Sequence, residues 1–189
     1  MYRRVRWIEV QLDRVLVQHQ ALVGYSTCFW YNVLHSQTLF DRAGWFAELQ
    51  RRARRRYPPE LRQAIIAKNY PLLRRNQSSY FHQIELAVQR NDPVSVNHRV
   101  AALLASYFDV LFAVNELPHP GEKRIVQYAS AKCSKIPAEM ERQVGELVGS
   151  VGRGDGRTVD KVNALVDRLD EVLARENLVS RATERAADQ

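Results

Sequence analysis

The sequence predicts a mostly α protein, an irregular helical bundle of seven to nine helices with one N-terminal β-strand. Three observations carry that expectation. Val94 to Glu116 is a long apolar-periodic run of about six helical turns. Prolines, glycines and Asp/Ser/Thr caps cut the remainder into helix-length pieces. Residues 5–12 alternate, with Ile8, Val10 and Leu12 on one side and Val5, Trp7, Glu9 and Gln11 on the other, as a half-buried strand does.

In chain order, the strand at 5–12 has no companion of its quality beyond a short Gln37–Phe40. A lone strand is not viable, so residues 1–12 read as the remnant strand of a sheet whose other strands are missing. Asp13 is suited to cap a short helix to about Gln20, and Gly24 ends it. An aromatic-rich helix follows at 28–35. Asp41 is placed to cap a helix from Trp45 to Arg55, which Tyr57-Pro58-Pro59 stops. Pro59 opens the helix Glu60 to Tyr70. Pro71 breaks or kinks it, because proline lacks an N–H and crowds the preceding turn. Helix resumes over Leu72 to Gln89, Asn91-Asp92-Pro93 stops and restarts the chain, and the long helix follows. Further helices are expected from Glu122 to Lys132, from Ala138 to Val148, and over 159–174, where Thr158 can cap and Val162, Leu165, Val166, Leu169 and Leu173 form a stripe. Gly149, Gly152, Gly154 and Gly156 mark a flexible loop. The helical domain thus spans 13–175, and the polar residues 176–189 read as a disordered tail.

The bulk numbers exclude several classes. The 189 residues, 46% hydrophobic and 26% charged, suit one globular domain. No run approaches a membrane span, and Met1 to Glu9 has no apolar signal region. Cys28 and Cys133 form neither a disulfide framework nor a metal spacing and suit a reducing cytoplasm. The five histidines are scattered, and the phosphate-loop, dinucleotide, zinc-protease and serine-hydrolase motifs are absent. The net charge of +7 favours an anionic ligand weakly. Arg51, Arg52, Arg54, Arg55 and Arg56 form a solvated helix end on the plain reading. No interleaved aromatics accompany them, which argues against nucleic acid.

The long helix carries the first site candidates. Val100, Leu103, Leu104, Tyr107, Val110, Leu111 and Val114 form the buried stripe. His98, Ala101, Ala102, Ala105, Asp109 and Glu116 form a second line of small and ionisable residues, which suits a cleft wall. The alternative is that His98 and Asp109 are satisfied by a neighbouring helix.

Several stretches together resemble a known family. They are Gly24-Tyr-Ser-Thr27, Leu39-Phe-Asp-Arg-Ala-Gly-Trp45, Tyr57-Pro58, Ala87-Val-Gln-Arg-Asn-Asp92, Phe108-Asp-Val-Leu-Phe-Ala-Val-Asn115 and His119-Pro-Gly-Glu-Lys123. Their order and spacing resemble the C-terminal helical part of bacterial nucleotidyltransferase-like proteins of the polymerase-beta-type superfamily, relatives of the kanamycin and streptomycin nucleotidyltransferases. The resemblance covers about residues 5–148.

It implies a two-part enzyme, in which an N-terminal core with a Gly-Ser motif and paired carboxylates holds Mg²⁺ on a nucleoside triphosphate for transfer to a small hydroxyl-bearing substrate. That block is missing from this chain. Gly149-Ser150 follows a helix, and Asp155 beyond it has no paired carboxylate. The expectation is therefore a substrate-binding helical portion, inactive alone: a fragment, a chain with a misassigned start, or a stand-alone partner of a separate catalytic chain, with a homodimer as a further possibility. On this resemblance Glu9 is the candidate third metal carboxylate and Asp109 orients, or takes a proton from, the substrate hydroxyl. Lys123 contacts the triphosphate, flanked by His98 and Asn115. The plain alternatives are an exposed strand-edge Glu9, a solvated Lys123 and Asn115 as a helix C-cap. The rival reading is a non-catalytic helical interaction module that buries Tyr25–Tyr31 and the apolar strand against a partner chain.

Overall fold

The structure is a computed structural model and describes residues 4–152 and 156–179. Among these there are nine helices and no strand: α1 (Val5–Leu16), α2 (Cys28–His35), α3 (Trp45–Ala53), α4 (Pro59–Arg74), α5 (Tyr80–Gln89), α6 (Pro93–Val114), α7 (Ile125–Lys132), α8 (Met140–Ser150) and α9 (Gly156–Arg175). Helix α6 is the axis of the bundle. Every residue from Ser106 to Val114 is buried, because α4 and α5 pack along it and α9 touches it. α8 and α9 form a hairpin whose α9 also lies on α5, while α1, α2 and α3 form a smaller group. No helix is long and apolar enough to cross a membrane among the described residues.

The N-terminal strand is a correction. Residues 5–16 are one helix, because Ile8, Leu12, Val15 and Leu16 recur at helical spacing and the last three are buried. The alternation of Ile8, Val10 and Leu12 ends at Asp13, whereas the helical stripe continues to Leu16. Gln37–Phe40 is a loop, with Leu39 98% exposed. Reading residues 1–12 as the remnant of a missing sheet therefore loses its observation.

Boundaries differ elsewhere too. Asp13 lies within α1, and the chain has left helix before Gln20. Asp41 does cap α3, since its Oδ2 accepts the N–H groups of Phe46 and Ala47 at 2.9 and 3.0 Å. Helix α4 runs straight through Pro71 to Arg74. The break expected there comes instead at 75–79, where Ser79 caps α5 by accepting from His82 N–H. Thr158 lies inside α9 and reaches back to the Ser150 carbonyl at 3.3 Å. After α9, Asn177 adopts a left-handed φ of 55°, and Leu178 N–H returns to the Leu173 carbonyl at 2.9 Å. This turn packs Leu178 and Val179 on the core. Gly154, Asp155 and 180–189 lie outside the described residues.

Candidate functional site

The stretches Gly24–Thr27 and His119–Lys123 are far apart in sequence and meet in space. Between Ala21 and the start of α2 the chain cannot stay helical, because Gly24 and Tyr25 both take positive φ, 70° and 57°. For tyrosine that conformation costs roughly 1 kcal/mol, and anchors on either side maintain it. The Gly24 N–H donates to Asn69 Oδ1 at 2.8 Å, and the Ser26 N–H donates to Asp109 Oδ1 at 3.0 Å. The Ser26 hydroxyl donates to Asp109 Oδ2 at 2.6 Å. Asn69 closes the network, with its amide 3.2 Å from Asp109 Oδ2 and 2.9 Å from the Leu22 carbonyl. Asn69 reaches this position because it sits on the core stripe of α4, between Ile65 and Leu73.

Ala105 and Asp109 of the second line therefore face a loop of the chain itself, whereas His98 and Ala101 are exposed and Glu116 pairs with Arg62. A side chain at Gly24 would place its Cβ 3.0 Å from the Cβ of Ala105. The small residue at 105 thus makes room for backbone. Asp109 is 1% exposed and forms no ion pair among the described residues. Burial raises its pKa from the ordinary carboxyl value to about 7, against the lowering pull of the Ser26 hydroxyl and N–H.

The Pro118–Lys123 turn closes over this loop. His119 is fully buried, and its N–H donates to Thr27 Oγ1 at 2.8 Å. Its Nδ1 accepts from Gly121 N–H at 3.0 Å and lies 3.3 Å from Cys28 Sγ. Accepting at Nδ1 places the proton on Nε2, which is buried with no hydrogen-bond partner in the described residues. The ring sits edge-on to Tyr25 and Phe112, with centroids 5.1 and 5.0 Å away. Burial lowers its pKa to about 4, although Glu122 pulls the other way. Burial and the Asp109 charge push the Cys28 thiol to about 12, more than the Gly121 N–H offsets. The pair is thus a neutral thiol beside a neutral imidazole, which does not favour thiolate nucleophilic chemistry.

A pocket of about 380 Å³ opens where these stretches meet. Tyr25, Cys28 and Asn32 form one wall, and Pro120, Gly121, Glu122 and Lys123 form the other. Arg124 behind them is also left-handed, with φ 52°. Tyr25 and Arg124 share this conformation with His19, Asn91, Glu116, Glu139 and Asn177, at turns and helix ends elsewhere in the fold.

The remaining candidates lie in different places. Lys123 is exposed and lines the pocket. Asp109 stands behind it, one hydrogen bond removed through Ser26. Asn115 is the C-cap of α6, and its side chain is consumed by the chain. Its amide donates to the Leu111 and Lys135 carbonyls at 2.9 Å each, and its oxygen accepts Lys135 N–H at 2.8 Å. His98 is exposed near the start of α6, roughly 16 Å along the helix axis from Asp109 at 1.5 Å per residue. Glu9 lies on α1, where its Oε1 accepts the Trp45 indole N–H at 2.9 Å.

Among the described residues no three His, Cys, Asp or Glu side chains come together to hold a metal ion. Of the carboxylates that the resemblance points to, Glu9 accepts the Trp45 indole N–H and Asp109 accepts from Ser26 and Asn69. Tyr25, Cys28, Ser26, Asn69 and His119 were not singled out as site residues by sequence reasoning. The available signal was Asn69, a polar residue on an otherwise apolar stripe. No protein-family model matches the chain, nor does any curated protein or solved structure.

Proposed function

We propose that the chain is the substrate-binding helical portion of a nucleotidyltransferase-like protein. Its pocket between α2 and the Pro118–Lys123 turn receives the phosphates of a nucleoside triphosphate. One observation carries the reading. Of the stretches on which the resemblance rests, Gly24–Thr27 is bonded both to Phe108–Asn115, through Ser26 and Asp109, and to His119–Lys123, through Thr27 and His119, and the first and last of these line one pocket. Lys123 supplies the cation, and the Asn32 amide and Tyr25 phenol supply neutral donors. Asp109 works behind the pocket wall. The Mg²⁺-holding carboxylates and the acceptor hydroxyl belong to a catalytic core supplied by another chain or segment, so the 189 residues are inactive alone.

ATP, with adenosine as the control, tests this by amide NMR. ATP shifts Tyr25, Cys28, Asn32 and Gly121 and adenosine does so less. Lys123→Ala weakens ATP about tenfold, a loss near 1.4 kcal/mol, whereas Lys132→Ala, on the exposed face of α7, does not. Absence of these shifts with ATP on the order of 10 mM, where even a millimolar site would be filled, refutes the reading.

A second reading rests on α1. Trp7 and Val10 on the helix and Val17 at its C-cap are between 39% and 63% exposed, as a helical interaction module that docks on a partner chain requires. Sedimentation equilibrium decides whether that partner is a second copy: a monomer at all concentrations removes this form of it.

A further inference from the structure

The Ser26 hydroxyl has two acceptors within reach. Asp109 Oδ2 is 2.6 Å away and the Leu22 carbonyl is 3.2 Å away, while the same oxygen accepts the Leu22 N–H at 2.9 Å. With Asp109 charged, the hydroxyl donates to Oδ2. With a proton on Oδ2, the carboxyl donates to Ser26 Oγ and the hydroxyl turns to the Leu22 carbonyl. Every donor then still has an acceptor, so the network accommodates the proton without losing the loop.

We propose that an anion enters the pocket together with one proton, and that this proton lands on the Asp109 carboxylate behind Ser26. The proposal rests on the reading that the pocket takes phosphates. Asp109 carries a negative charge with no cation paired to it, and its field reaches the pocket wall. Burial is the main cause that raises the pKa of Tyr25 and Cys28, which line the cavity; the Asp109 charge adds to both, second to burial at Cys28 and behind Glu122 at Tyr25. An anion placed against the same two side chains meets that charge from behind the wall, in addition to the Glu122 carboxylate on the opposite side of the pocket. Neutralising Asp109 removes its share of the repulsion, and linkage makes the effect reciprocal, so the bound anion favours the protonated carboxyl.

The groups around Asp109 leave it as the acceptor. From the loop and α2 come the Tyr25 phenol and the Cys28 thiol, and from the segment before α4 comes the buried Tyr57 phenol, all neutral because burial raises them. Helix α4 contributes the Asn69 amide, and its Lys68 ammonium is turned to the Ala21 carbonyl at 2.9 Å. The turn contributes His119, whose proton affinity burial lowers, and the exposed Glu122 and Lys123. Asp109 is the carboxylate held against the loop by Ser26 and Asn69, and burial raises its pKa to about 7.

Calorimetric titration of ATP into the wild type and Asp109→Asn, between pH 6 and pH 9 in two buffers of different ionisation enthalpy, tests the proposal. Protonation of ATP itself is common to both proteins and cancels in their ratio. The wild type takes up more protons than Asp109→Asn, and its affinity relative to that variant falls as pH rises through about 7, by up to about tenfold per pH unit. Carboxyl-carbon NMR of the wild type supplies a readout independent of the variant's folding: the Asp109 titration moves to higher pH when ATP is bound. Equal proton uptake by the two proteins, or an Asp109 titration indifferent to bound ATP, overturns the inference and leaves the pocket reading standing. No ATP binding to the wild type overturns both.

Discussion

Ser26 and Asp109 lie 83 residues apart in the chain, and the hydroxyl of one stands 2.6 Å from the carboxylate of the other, with neither exposed to solvent. This contact ties the loop ahead of α2 to the central helix. Tyr25 lies between two anchored residues and faces the pocket as a result. A carboxylate on the second face of α6 therefore serves a loop of its own chain.

The stability of that arrangement depends on pH in a defined direction. The Asp109 pKa is raised on folding, from near 3.8 to about 7. Its contribution is therefore fully present below the unfolded value, is lost as pH rises towards about 7 and is constant above that. Asparagine at 109 does not titrate: its NH₂ donates to Ser26 Oγ and its oxygen accepts Ser26 N–H, while the Asn69 amide loses its bond to position 109 and keeps the Leu22 and Ile65 carbonyls. In urea unfolding, Asp109→Asn gains on the wild type between pH 5 and pH 8. Asp109→Ala orphans the Ser26 N–H and opens a cavity, and costs roughly 2–4 kcal/mol. A wild type to Asn difference that does not change with pH refutes the assignment.

His119 acts in the opposite sense. Burial depresses its pKa to about 4. The stability held by the neutral ring is therefore complete above its unfolded value near 6.5 and is lost as pH falls through about 4. Asparagine retains an acceptor for the Gly121 N–H but does not titrate. The stability gap between the wild type and His119→Asn narrows from pH 7 to pH 4, read by thermal melts at fixed ionic strength. A gap that stays constant would mean that the imidazole is not buried as described.

The approach of Gly24 to Ala105 separates two kinds of cost. Gly24→Ala places a side chain at φ 70° and its Cβ 3.0 Å from that of Ala105, and loses roughly 2–4 kcal/mol from backbone strain and overpacking together. Adding Ala105→Gly relieves only the contact. The double variant recovers part of the loss relative to the sum of the single changes, and the remainder is the left-handed backbone term. Strict additivity in denaturant unfolding would remove the contact from the account.

The sequence by itself determined the helical class, the long axis α6, the Asp41 cap of α3 and the positions of most helix ends, because these follow from spacing within a turn or two of chain. It also singled out the stretches at Gly24 and His119 whose contact forms the pocket. It left 5–12 ambiguous, since Val-Arg-Trp-Ile-Glu-Val-Gln-Leu satisfies a period of two and a period of 3.6 alike. Tertiary packing resolved it: Leu12, Val15 and Leu16 are buried together only on a helix, and Glu9 meets the Trp45 indole from that helix. Pro71 shows the same limit, because its cost inside α4 is local whereas the packing that holds α4 on α6 is spread along the helix. The environment of Asp109 was decided only by the fold. Whether a carboxylate on α6 faces ligand, water or a serine hydroxyl depends on which distant backbone comes to rest beside Ala105, and hydrophobic periodicity carries no record of that partner.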